Sequence, residues 1–89
     1  MVGQFVFSKA GHDKGTLYVI VAEEGDFVYV AEGRLKTLEH PKRKRRLHIQ
    51  PVNRTVEETL CRKLAGREKV YDEEIKYAIR QVKEKRSDR

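Results

Sequence analysis

Residues 3–31, GQFVFSKAGHDKGTLYVIVAEEGDFVYVA, decide the fold that the sequence predicts for this 89-residue chain. A glycine-containing loop, residues 9–15, and a short acidic turn around Gly25 separate three runs of residues that are typical of strands. These runs, rich in β-branched and aromatic residues, are Gln4 to Ser8, Thr16 to Ala22 and Phe27 to Ala31. The stretch therefore predicts a small antiparallel β-structure with one unusual loop.

The first predicted strand is apolar on both faces. Side chains alternate along a strand, so Phe5 and Phe7 share one face and Val6 lies on the other. A strand of a half-exposed sheet would have one polar face, and the pattern therefore favours a small closed barrel. Two further β signals follow, a fourth segment at Leu35 to Leu38 and a short final strand at Leu47 to Ile49, with a basic run at Lys42 to Arg46 between them.

Helical signals begin after Pro51. Thr55 and Glu58 have the spacing of a capping box that opens a helix, Gly66 marks its predicted end, and Asp72 begins a second helix. Each helix has an apolar stripe, formed by Val56, Leu60 and Leu64 in the first and by Ile75, Ala78, Ile79 and Val82 in the second. The predicted fold is mainly β with a C-terminal α part: a barrel in residues 1–52 and a helical extension in residues 53–89.

The net charge of +6 is concentrated in one segment. Residues 34–54 contain eight Lys and Arg residues against Glu39 alone, which gives +7, whereas residues 23–33 sum to −4. Within the basic segment, the consecutive cations of Lys42–Arg46 favour contact with a nucleic acid over a merely solvated run of charge. Such contacts go mainly to phosphates, so the affinity should fall steeply as salt rises.

Several classes of protein are disfavoured. Cys61 is the only cysteine, so no intramolecular disulfide can form, and a reducing compartment, the cytoplasm, is expected. No apolar run approaches the ~20 residues that span a membrane, and the N-terminus lacks a signal pattern. His12 beside Asp13 is the nearest approach to a catalytic pair, but no nucleophile accompanies it. We therefore expect no enzyme, metal site, cofactor or small-molecule substrate.

The loop of residues 9–15 has two interpretations that its residues leave open. Gly11 and Gly15 can take positive φ or let another backbone approach closely, and His12 and Lys14 are held between them. Together with Lys9 this arrangement suits a surface for phosphates. It is equally typical of a simple connection, because loops between strands are commonly polar and glycine-rich.

The order of these elements resembles a known family. The run from Gly3 to Val21, with Gly15 between the first two strands, resembles a KOW motif. With Phe-Val-Tyr-Val at residues 27–30 and a Lys/Arg run before Leu-His-Ile at 47–49, the chain is similar to the fourteen-e type of large-subunit ribosomal proteins over roughly residues 3–52. The resemblance implies an SH3-like barrel that binds ribosomal RNA through the loop and the basic edge.

The predicted function is non-enzymatic RNA binding in a ribosome-associated role in translation, with ribosomal RNA and ribosomal proteins as partners. An alternative is a protein-interaction module of a transcription or translation factor, which an exposed apolar stripe on the C-terminal helices would favour. An enzyme that uses His12 and Asp13 is the weaker third hypothesis. The predicted RNA-binding residues are Lys9, Gly11, His12, Lys14, Gly15, Arg34, Lys36, Lys42, Arg43, Lys44, Arg45, Arg46 and His48.

Overall fold

One antiparallel sheet followed by two helices makes up the chain. The computed structural model describes the backbone of residues 1–87 and the side chains of residues 1–84. The strands are β1 Gln4–Ser8, β2 Leu17–Glu24, β3 Phe27–Ala31, β4 Lys42–Arg45 and β5 Ile49–Thr55, and the helices are α1 Glu58–Ala65 and α2 Asp72–Ser87. The mainly-β fold with a C-terminal α part is confirmed. The end of the predicted helical extension, residues 88 and 89, lies outside the described residues.

The strand order β4-β3-β2-β1-β5 places β1 between β2 and the final strand. Strands β1 to β4 form an antiparallel meander. A 3-10 turn, Arg46–His48, then carries the chain across to the free side of β1, where Ser8 pairs with Ile49. This is the element order of a small SH3-like barrel. Within the described residues no ladder joins β4 to β5, so the barrel wall is open between its two edge strands.

The two apolar faces of the sheet are buried by different neighbours. The inner face forms one cluster: Val6, Tyr18, Ile20, Val28, Val30 and Ile49. The opposite face of β1 and β2 is covered by the helices, and this second cluster contains Phe5, Leu17 and Val19 with Val56, Leu60, Leu64, Ile75, Ile79 and Val82. The prediction that β1 is apolar on both faces is therefore confirmed. Curling of the sheet buries one face, and helix packing buries the other.

The predicted fourth strand at Leu35 to Leu38 is wrong. These residues belong to the loop between β3 and β4, and Leu35 is 86% exposed. The carboxylate of Glu32 accepts hydrogen bonds from two backbone N–H groups of this loop, at 2.8 and 2.7 Å. Because a side chain satisfies these donors, the loop needs no strand partner.

The basic run itself forms the fourth strand. Lys42–Arg45 pairs with β3, and the last strand begins at Ile49 rather than at Leu47, which lies in the 3-10 turn. That strand continues to Thr55, beyond the predicted end of the β part at residue 52.

Of the predicted helix boundaries, only the start of α1 is wrong. Thr55 is the last residue of β5, so it does not cap α1, and the predicted capping box is wrong. The N-cap residue is Glu57, which makes no side-chain hydrogen bond to the helix. The predicted end at Gly66 and the predicted start of α2 at Asp72 are confirmed. The apolar stripes of both helices lie in the core that they share with the sheet. Accordingly, the radius of gyration is 12.0 Å, close to the ~12 Å of a single domain of this length.

Candidate nucleic-acid interface

The backbone of residues 9–15 holds this loop in a defined conformation. Gly11 and Gly15 have φ values of 88° and 89°, which favour glycine, and the N–H of Gly15 donates to the carbonyl of Ser8 at 2.9 Å. A Cβ atom added at Gly15 would meet no atom within 4 Å. The two glycines are therefore needed for the turn of the backbone, and the predicted close approach does not occur within the chain.

Asp13 joins this loop to the sheet. Its carboxylate accepts hydrogen bonds from the hydroxyls of Ser8 at 2.9 Å and Tyr18 at 2.7 Å, and it pairs with the ammonium of Lys44 at 3.1 Å. Lys44 is 8% exposed and also donates to the carbonyl of Ala10. The network ties the loop at the end of β1 to β4, although these two strands share no ladder. It thus fixes the loop against β4 through side chains.

The ionisation of Asp13 reflects this environment. Burial alone would raise the pKa of its carboxyl, but the hydrogen bonds from Tyr18, Lys44 and Ser8 and the charge of Lys44 outweigh burial and lower the pKa to about 2. Burial and the bond to Asp13 together raise the pKa of Tyr18 well above its ordinary value. At neutral pH the centre of the network is therefore a carboxylate, paired with an ammonium and two hydroxyl donors.

The predicted loop residues lie beside the predicted basic run. The backbone N–H of Lys9 donates to the carbonyl of His48 at 2.8 Å, so the loop begins against the 3-10 turn. The side chains of Lys9, His12, Lys14 and His48 are all exposed. Neither oxygen of the Asp13 carboxylate is bonded to His12, so the two residues do not form the acid–base pair that their adjacency suggests.

Strand β4 divides its cations between two faces. Lys44 lies opposite Val28 and Lys42 opposite Val30, on the inner side of the sheet, and Lys44 is buried there. Arg43 and Arg45 point to the other side and are exposed. The structure therefore departs from the prediction for Lys44, since this residue neutralises Asp13 and has no surface for a phosphate. Among the described side chains, neither Arg43 nor Arg45 forms an ion pair.

Two aromatic rings accompany the outward arginines. Arg43 faces Tyr29 across the ladder and Arg45 faces Phe27. The guanidinium carbon of Arg43 lies 3.8 Å from the centroid of the Phe27 ring, and that of Arg45 lies 5.7 Å from it, both within the range of a cation–π contact. The hydroxyl of Tyr29 donates to the carboxylate of Glu24 at 3.0 Å. We call the set Phe27, Tyr29, Arg43 and Arg45 the outer β3–β4 face.

Arg46 is engaged within the chain. Its guanidinium donates to the carbonyl of Gly25 at 2.8 Å and to the carboxylate of Glu23 at 2.9 Å, and its backbone N–H donates to the carbonyl of Asp26. The bond from Arg46 lowers the pKa of Glu23. The pair fastens the acidic β2–β3 turn to the 3-10 turn and uses much of the hydrogen-bonding capacity that a phosphate would require.

Arg34 and Lys36 lie in the loop between β3 and β4, which packs against α2. The backbone N–H of Leu38 donates to the carboxylate of Asp72 at 2.8 Å. Arg34 is exposed and lines a cleft beside α2, together with acidic and basic residues of that helix, among them Arg80. These two predicted residues therefore belong to a different part of the surface from the outer β3–β4 face.

Sequence reasoning missed two residues of this region. The sequence places Asp13 next to His12 and gives no sign of its distant cationic partner, although Asp13 is the one acid in residues 9–15. Phe27 reads from the sequence as a strand residue, although its spacing of two from Tyr29 places both rings on one face. In each case the partner, Lys44 or Arg43, is more than ten residues away in the sequence, so no local pattern reveals the contact.

Several other findings bear on the site. In the part of the chain that the structure describes, no three His, Cys, Asp or Glu side chains are placed to hold a metal ion. No helix there is both long and apolar enough to cross a membrane. No protein-family model matches the chain, and no curated protein matches it significantly. The similarity to KOW-type ribosomal proteins accordingly stays a prediction from the sequence.

Proposed function

We propose that this protein binds RNA without catalysing a reaction. The observation that carries the proposal is the pair Arg43 and Arg45, exposed on a rigid strand and free of ion pairs among the described side chains. The contact with the Phe27 ring restricts the side chain of Arg43, and the planar guanidinium groups match phosphate geometry. A polyanion is the partner that such a surface fits.

The loop of residues 9–15 carries further exposed cations. Lys9 and Lys14 are exposed on the loop of residues 9–15, which the Asp13–Lys44 pair fixes beside β4 and the bond to His48 fixes beside the 3-10 turn. Fixed cations on adjacent elements can contact successive phosphates of one strand. Lys44 and Arg46 are excluded from the contact set, because both are used within the chain.

The choice of RNA and of setting rests on the sequence. The resemblance to the KOW-type ribosomal proteins favours ribosomal RNA, a ribosome-associated role in translation and ribosomal proteins as further partners. The single cysteine, Cys61, favours the cytoplasm. Co-sedimentation with purified ribosomal subunits at low salt, and release at high salt, is the expected behaviour; a protein that stays in the supernatant at every salt concentration would contradict the ribosomal assignment.

RNA binding itself is tested with a structured RNA at increasing salt. We expect the logarithm of the affinity of an RNA hairpin to fall linearly with the logarithm of the salt concentration, as counterions are released. The double variant Arg43→Gln/Arg45→Gln removes two phosphate contacts, so the slope should become shallower by about 2. Binding that is absent, or that does not respond to salt, would refute the proposal.

The matched control changes the net charge equally at another surface. Arg67→Gln/Lys69→Gln removes two exposed cations from the connection between the helices. This variant should lose a little affinity through the long-range field but retain the slope of the unsubstituted protein. Equal slopes for the two double variants would show that net charge, and not the outer β3–β4 face, governs binding.

The protein-interaction alternative has less support. It would be favoured by an exposed apolar stripe on the C-terminal helices, but Leu60, Leu64, Ile75, Ile79 and Val82 are all buried in the core shared with the sheet. A groove beside α1 and α2 does expose Tyr77, yet nothing in the structure indicates an occupant for it.

A further inference from the structure

The sheet face that the helices cover on β1 and β2 is left uncovered by the described part of the helices on β3 and β4. Val19 pairs with Ala31, and alternation along β3 places Tyr29 and Phe27 on the same face as these two residues. Over β1 and β2 the helices cover this face. Over β3 and β4 it carries the outer β3–β4 face instead, where both rings are half-buried and both arginines are exposed. Rings and guanidinium groups are thus presented side by side on two hydrogen-bonded strands.

The arginine nearest to Phe27 is held by the ring. Arg43 reaches Phe27 along the diagonal of the antiparallel pair, and its guanidinium carbon lies 3.8 Å from the ring centroid. A guanidinium that already rests on an aromatic ring is preorganised, so a ligand that stacks on it does not have to order the side chain. The outer β3–β4 face therefore offers the preorganised guanidinium plane of Arg43 beside the ring of Tyr29.

Tyr29 is also held in place. Its hydroxyl donates to Glu24 at 3.0 Å, and this bond raises the pKa of the phenol. The bond fixes the polar end of the side chain, and its partner on β2 is Ala22, whose side chain is a single methyl group. Glu24 also sets a boundary, because a phosphate next to this carboxylate would be repelled.

We propose that the outer β3–β4 face stacks the unpaired bases of single-stranded RNA, an inference that rests on the proposed RNA binding. Aromatic rings and guanidinium planes are the groups on which splayed bases stack, and the positive charge of Arg43 and Arg45 is complementary to the flanking phosphates. In a duplex the base faces cover one another, so they cannot reach this surface. The ligand of this face is therefore a single-stranded segment, such as a loop, a bulge or an end.

The decisive comparison removes the bases and keeps the phosphates. Oligouridylate and an abasic ribose-phosphate strand of the same length carry equal charge. If bases stack on the outer β3–β4 face, oligouridylate binds about ten-fold more tightly, the loss expected for one base–aromatic stack. Equal affinities for the two strands would overturn the inference.

Two conservative variants locate the effect. Arg43→Lys retains the charge but loses the guanidinium plane, and Phe27→Leu retains an apolar side chain but loses the ring. Each variant should bind oligouridylate about ten-fold more weakly and bind the abasic strand with unchanged affinity. Thermal unfolding checks that each variant still folds. Unchanged oligouridylate binding by both variants would assign the affinity to charge alone.

A fluorescent reporter separates the possible failures. The chain contains no tryptophan, so Tyr29→Trp introduces a single one on this face. A stacked base should quench its emission, whereas the abasic strand should not. If the hairpin and both strands bind in a salt-dependent manner without quenching, only the stacking inference fails. If neither the hairpin nor either strand binds, the proposed RNA binding fails with it.

Discussion

The substitution Asp13→Asn tests the network that holds the loop of residues 9–15 against β4. Asn has nearly the same shape as Asp, so it leaves the packing intact and removes the negative charge. The unsubstituted carboxylate is 21% exposed and receives bonds from Ser8, Tyr18 and Lys44. Without the charge, the buried ammonium of Lys44 loses its counterion, and the two hydroxyl donors lose a charged acceptor.

The magnitude follows from the ionisation of Asp13. Its pKa of about 2 in the folded protein lies below the ordinary value of 3.8, and each pKa unit corresponds to about 1.4 kcal/mol of differential interaction. The charge therefore contributes about 2 kcal/mol to the free energy of unfolding. Because the folded-state pKa is the lower one, this contribution is complete above about pH 4 and is lost as the pH falls toward 2.

The assay is urea unfolding of both proteins between pH 7 and pH 2. Asp13→Asn should be less stable by about 2 kcal/mol at pH 7, and the difference should shrink below about 0.5 kcal/mol near pH 2, where the native Asp13 is becoming protonated. The control is Glu39→Gln, an exposed carboxylate, which should change stability by less than about 0.5 kcal/mol at either pH. A difference that stays constant across this pH range would refute the assignment of the effect to the charge.

Three further predictions concern packing and the turns. Gly33→Ala should cost about 2–3 kcal/mol of unfolding free energy, because φ is +88° and an added Cβ would lie 2.7 Å from a backbone oxygen of α2. Gly15 has φ of +89° but open space around it, so Gly15→Ala should cost only about 1 kcal/mol. Urea unfolding that ranks the two variants oppositely would contradict the packing argument. Leu60→Ala should cost about 2–5 kcal/mol by leaving a cavity between α1 and the sheet, whereas Leu47→Ala, 62% exposed, should cost under about 0.5; thermal unfolding measures both. Arg46→Ala should lower the free energy of unfolding by less than about 1 kcal/mol, since the ion pair of Arg46 is open to solvent. It should leave the salt slope of RNA binding unchanged. A slope shallower by about 1 would show that Arg46 contacts a phosphate.

Local patterns predicted the elements whose identity depends on their own residues. The strands at Gln4–Ser8 and Phe27–Ala31 have the predicted bounds, because each is a short aromatic and β-branched run bounded by turn residues. The end of α1 at Gly66 and the start of α2 at Asp72 were also predictable, since both are local features of helix termini. The failed capping box shows the limit: Thr55 has the right spacing, but pairing with β1 keeps it in β5.

Strand β4 was not predictable from its own residues. Four consecutive Lys and Arg residues, KRKR, have little strand propensity and repel one another, so the sequence favours a solvated run. Pairing with β3 and the carboxylate of Asp13, thirty-one residues earlier than Lys44, make the strand possible. Such long-range compensation leaves no periodic signal, and it also decides which cations remain at the surface.

The distribution of charge on β4 changes how a basic run is interpreted as a binding signal. From the sequence, the members of Lys42–Arg46 are equivalent, and their number predicts the strength of RNA binding. Alternation along the strand separates them: Lys44 neutralises a carboxylate inside the barrel, while Arg43 and Arg45 keep their charge at the surface. The inward cation supports the outward ones, since its pair with Asp13 holds the loop beside the strand that carries them. Substitution of the whole run would therefore confound a loss of binding with a loss of structure, and only variants chosen by face can separate the two.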